Sequence, residues 1–129
     1  MPTIDNPNTL GGNPTTAKSY TTDGGGAITV DLRRVSIGSI RWFWTRATVN
    51  KATNSTFDPF LTINNSDVGF GWASSGAMNN KPGSVYTSKA IGFDMNTSNP
   101  PTTFSGKYGF SRTSNVDTPN STTFSGLKP

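Results

Sequence analysis

Glutamate, glutamine, histidine and cysteine are all missing from this 129-residue chain. Without histidine there is no side chain that titrates near neutral pH unperturbed, and the commonest metal ligand is gone. Without cysteine there are no disulfides, no thiolate nucleophile, no iron–sulfur cluster and almost no route to a zinc site. The same absence leaves the redox compartment unreadable. All seven acids are aspartates. Glutamate and glutamine are good helix formers, whereas the Thr, Asn, Gly and Asp that replace them are poor ones, so the alphabet favours strands and turns. Charged residues make up 14% of the chain, against about 25% in an average domain. So little charge argues against a disordered polyelectrolyte. The sequence shows no basic start followed by an apolar run, and nothing near the roughly 20 apolar residues that span a bilayer. The expectation is a soluble chain made in the cytoplasm, with no membrane partner.

What is there suits one small domain. Residues 1–26 carry three prolines and two glycine clusters, with Ile4, Leu10, Ala17 and Tyr20 at no regular period, and read as an extended N-terminal arm. Residues 27–112 read as the β domain, and 113–129 as an extended polar C-terminal tail. Within the domain, Ile28, Val30 and Leu32 alternate with polar residues as a half-buried strand does. Arg33-Arg34 then suggest a turn. The alternation resumes through Val35, Ile37, Ile40, Trp42 and Trp44 if Gly38-Ser39 forms a bulge. Phe57 to Ile63 and Val68 to Trp72, joined by Asn64-Asn65-Ser66-Asp67, read as a hairpin. Further strands follow at Ser84–Thr87, Ala90–Met95 and Lys107–Arg112. The expected fold is therefore all-β: a small β-sandwich or jelly-roll-like domain of about seven or eight short strands between two polar arms. Thr102–Gly106 recurs as Thr122–Gly126, as if each phenylalanine docked a polar segment in the same way.

The densest stretch is Ile40–Arg46, with three aromatics and two arginines in seven residues. It reads either as a central strand or as a platform on which bases or sugars stack. A chain this poor in large apolar residues can hardly leave two tryptophans in water, which favours the strand. The expected core is Ile28, Val30, Leu32, Ile40, Trp42, Trp44, Phe70, Trp72, Ile91 and Phe93. Trp42 and Trp44 would share the inner face, Phe43 the other, and Arg41 and Arg46 would reach towards a partner.

No catalytic, cofactor or metal site is expected. Asp58 and Asp67 flank the hairpin and are the best candidate carboxylate pair for glycoside cleavage, but polar turns collect aspartate for local hydrogen bonds anyway. Gly24-Gly25-Gly26 lacks the lysine and helix of a phosphate loop, and Asn64–Asp67 lacks the spacing of a calcium loop. A β domain with polar arms, no thiols and a mostly neutral surface fits a part that becomes ordered by assembly. The expectation is a non-enzymatic virion structural protein: a phage capsid decoration or cement protein, or another minor capsid or tail protein. It would be a homo-oligomer, with a trimer favoured, held to shell subunits by its arms and by Arg33, Arg34, Arg41 and Arg46. The alternatives are a single-strand nucleic-acid-binding β-barrel and a carbohydrate-binding β module.

Overall fold

Ile28, Val30 and Leu32 put three apolar side chains on one side of a strand, and that side needs a second layer to cover it. The computed structural model describes residues 1–52, 57–70, 81–112 and 120–129. Trp72, expected in the core, lies outside these residues, and Phe70 is described only as strand backbone. The described residues contain no α-helix and ten strands. In chain order these are β1 (Thr3–Ile4), β2 (Asn13–Thr21), β3 (Ala27–Ile37), β4 (Ile40–Lys51), β5 (Phe57–Ile63), β6 (Ser66–Phe70), β7 (Val85–Thr87), β8 (Ala90–Asp94), β9 (Phe104–Arg112) and β10 (Asn120–Leu127). They form two antiparallel sheets. One runs β1-β8-β4-β3-β2, with β7 also on β4; the other runs β10-β9-β5-β6. The all-β expectation is met, with more strands than the seven or eight counted from periodicity.

The extra strands come from the segments expected as arms. Residues 1–26 are extended but not detached: Asn13 to Thr21 pair with β3, and Thr3 and Ile4 pair with β8. In the tail, Asn120 to Leu127 pair with β9. Backbone pairing recruits these polar segments, and it leaves little hydrophobic period to read. Arg33 and Arg34 also differ from expectation. They lie inside β3, opposite Trp44 and Phe43, and the chain reverses instead at Gly38-Ser39, where Ile37 faces Ile40. Gly38 has φ +59°, which glycine adopts freely at the first central position of a type II′ hairpin turn. The expected bulge is thus a hairpin. The Asn64-Asn65 turn forms as expected, with φ of 47° and 64°, the paired positive values of a type I′ turn.

Between the sheets lies the main core: Ile28, Val30 and Leu32 of β3, Phe43, Ala47 and Val49 of β4, and Ile91 and Phe93 of β8, against Phe57, Leu61, Phe104, Tyr108 and Phe110. Phe43, Phe93 and Phe104 meet with ring centroids 4.7–5.9 Å apart. Tyr20, Phe57 and Phe110 make a second aromatic group edge to face. Phe104 is fully buried, whereas Phe124 is only partly so and tilts against Tyr108. The two copies of the repeated pentapeptide therefore dock differently. Where β7 gives way to β8 along β4, Ser88 fills the gap: its N–H donates to the Thr45 carbonyl and its Oγ accepts from the Thr45 N–H, both at 2.9 Å.

Asp58 is half-buried in β5, and burial raises its carboxyl above the usual 3.8. A folded-state pKa above the unfolded one means that ionisation costs stability as pH rises through the folded value. Asp58→Asn should therefore stabilise the protein at neutral pH, and the gain should vanish below pH 3.8. Urea midpoints at pH 7 and pH 3 check this; an equal gain at both would remove ionisation as the cause.

Candidate functional site

Alternation along β4 sends Phe43, Ala47 and Val49 into the core and Trp42, Trp44 and Arg46 to the outer face of the β1–β2 sheet. The expected assignment of faces is thus reversed. Trp42 and Trp44 belong to a second cluster with Ala90, covered by Ile4, Leu10, Val35 and Ile40. Ile4 and Leu10 of this cover come from the N-terminal segment. A 3₁₀ turn at Pro7–Leu10, capped by Asn6 Oδ1 accepting from the Asn8 N–H at 3.2 Å, ends at Gly11. Trp44 is 2% exposed and Trp42 8%. Ile40 is only partly buried at the edge of this cluster.

The four candidate arginines do not form one patch. Arg41 sits at the hairpin end, with a weak contact to the Gly38 carbonyl at 3.5 Å. Arg34 falls on the opposite face from Arg33 and donates to the Lys128 carbonyl. It lines an open groove of about 490 Å³ with Asn13, Pro14, Val35 and Leu127. Arg33 and Arg46 do come together. Cross-strand register places Arg33 beside Trp44 and Asp31 beside Arg46, and both arginines line a small cavity of about 150 Å³ with Pro7, Asn8, Gly11 and Trp44.

The two guanidiniums of that cavity are held very differently. Arg33 Nε donates to Asp31 Oδ1 at 2.9 Å and its Nη1 to the Gly12 carbonyl at 2.7 Å. Both side chains of the pair are largely buried. Arg46 Nε is buried and has no hydrogen-bond partner among the described residues. Thr87 faces Arg46 across β4 and β7, and its Oγ1 is also buried without a hydrogen-bond partner among the described residues. Burial raises the Asp31 carboxyl above its usual value, against the opposing pull of the Arg33 charge and hydrogen bond and then of Arg46. Asp31, Gly12 and Thr87 were not among the expected site residues. A turn at Arg33-Arg34 hides the signal; a continuous β3 puts Asp31 and Arg33 two residues apart on one face.

Asp58 and Asp67 do not converge. Asp67 pairs with Thr62, four positions along β5 from Asp58, a separation of roughly 13 Å at strand rise. That exceeds the spacing of about 5–9.5 Å used in glycoside cleavage. Among the described residues, no three acidic side chains cluster as metal ligands do. Compared with protein-family models, curated proteins and solved structures, the chain has no significant match in any.

Proposed function

We propose that this chain is a non-enzymatic structural protein of a virion, a decoration or cement protein that binds capsid shell subunits and associates with copies of itself, a trimer being the expected assembly. The observation that carries the reading is the edge formed by β10. This eight-residue strand pairs with β9 on one side and with no described strand on the other. It contains no charge and no proline. Edge strands are normally guarded by lysine, proline or a covering element, because unpaired N–H and C=O groups recruit another strand. At the other sheet's edge, β2 carries both Pro14 and Lys18. A register shift between Phe124 and Leu127 bends the end of β10, so the pairing edge is residues 120–124, a polar stretch without charge or proline that suits regulated addition of a neighbour's strand.

Burial of the tryptophans supports this reading over the nucleic-acid and glycan alternatives. Stacking needs an exposed ring face, and Trp42 and Trp44 are covered by the chain's own N-terminus. Ser121 and Ser125 are exposed on β10. Replacing both with lysine should leave the fold intact and abolish self-association and shell binding, read by sedimentation with and without capsid particles. Retention of both activities in the double variant would refute the edge as the assembly surface. Salt-sensitive binding to oligonucleotides would favour the nucleic-acid reading instead.

A further inference from the structure

We infer that the cavity between Arg33 and Arg46 is a carboxylate-binding site, and that it accepts an aspartate or glutamate side chain from a partner protein. Three observations lead there. First, Arg46 lines the cavity, and its Nε is buried with no hydrogen-bond partner among the described residues. A guanidinium left in that condition gains most from an oxyanion that accepts two of its hydrogens. Second, the cavity is organised before any ligand arrives. Arg33 is fixed by Asp31 and the Gly12 carbonyl, and Trp44 and Pro7 are buried walls. An arginine pre-positioned in this way loses less side-chain freedom on binding. Third, charge selects the ligand. Two arginines and Asp31 leave one net positive charge, which matches a carboxylate; a phosphate dianion would be over-charged and repelled by Asp31.

The partner identity rests on the assembly reading above, but the site itself does not. Acetate, titrated into the full chain at low chloride, separates the two. The readouts are the Arg46 Nε–H and Trp44 indole N–H signals, assigned with Arg46→Gln and Trp44→Phe. The expected result is a saturable shift of both signals with acetate. It should be lost in Arg46→Gln and become several-fold tighter in Asp31→Asn, where a competing negative charge is gone. Backbone amide spectra verify that each variant is folded. If inorganic phosphate or an oligonucleotide moves the same signals at lower concentration than acetate, the carboxylate assignment is wrong. If no anion gives a saturable shift, the cavity is merely hydrated and the site does not exist. Acetate binding with no shell binding would refute the assembly reading and keep the site; shell binding without acetate binding would do the reverse.

Discussion

Replacing Phe43 with alanine is expected to cost about 3–5 kcal/mol, the usual range for emptying a buried aromatic site. Phe43 is fully buried in β4 and contacts the rings of both Phe93 and Phe104. Those partners come from different sheets, β8 in one and β9 in the other, so the side chain is one of the points where the two layers meet. Neither neighbour can fill the space without leaving its own ring contact, Phe93 to Phe104 at 5.1 Å. Domains of this size have total stabilities of about 5–15 kcal/mol, so the substitution removes a large fraction of what holds the protein folded. Phe124→Ala is the control. Phe124 is partly buried and, among the described rings, leans on Tyr108 alone, so its loss should be much smaller. Urea denaturation followed by circular dichroism gives both values. Equal losses would mean that the core is not centred on β4.

Gly109→Ala is expected to release β10 from its sheet. Gly109 lies in β9 between Phe60 of β5 and Ser121 of β10. A Cβ there would stand 1.9 Å from the Asn120 carbonyl oxygen and 2.8 Å from Ser121 Cα. Both are backbone atoms, so no rotamer change relieves the overlap; the strand itself has to move. Overpacking typically costs about 1–3 kcal/mol and more where backbone must shift, and this position belongs at the upper end. Hydrogen exchange should show fast amides throughout β10 while those of β3 and β4 stay protected. Because the proposed assembly edge is β10, the same variant should also fail to associate. Unchanged protection in β10 would mean that its register on β9 differs from the one described.

The central part of the fold was legible because its strands obey a period of two. Ile28, Val30 and Leu32 alternate cleanly and all lie between the sheets. Asn64-Asn65 announced a turn because asparagine tolerates the left-handed region. The strands missed are edge strands. β2 contributes Tyr20 to the core but is otherwise Asn, Pro, Thr, Ser, Lys and Ala, with a register shift between Pro14 and Thr16 that breaks any alternation. β10 offers only Phe124 and Leu127. Such segments are held by backbone hydrogen bonds and by hydroxyl contacts such as Tyr20 to Thr122 and Thr16 to Tyr108, which leave no hydrophobic trace. The two faces of β4 could not be assigned from sequence, because both are apolar and part of the cover over Trp42 and Trp44 comes from Ile4 and Leu10, which have no period of their own. Of the arginine site, the residue types were visible but not their grouping, since one misplaced turn separates Asp31 and Arg33 from Trp44 and Arg46.

The N-terminal cover also sets an order of events during synthesis. Its first strand pairs through Thr3 with Ile91, so this segment latches onto one made about 90 residues later. Trp42 and Trp44 emerge some 50 residues before that latch exists. At translation rates of roughly 5–20 residues per second, the indole pair waits about 3–10 seconds without a settled lid. A two-residue strand closing so long a loop forms late and adds little by itself. The newborn chain therefore passes through an interval in which its most aromatic surface is open to whatever else is nearby, including other copies of itself.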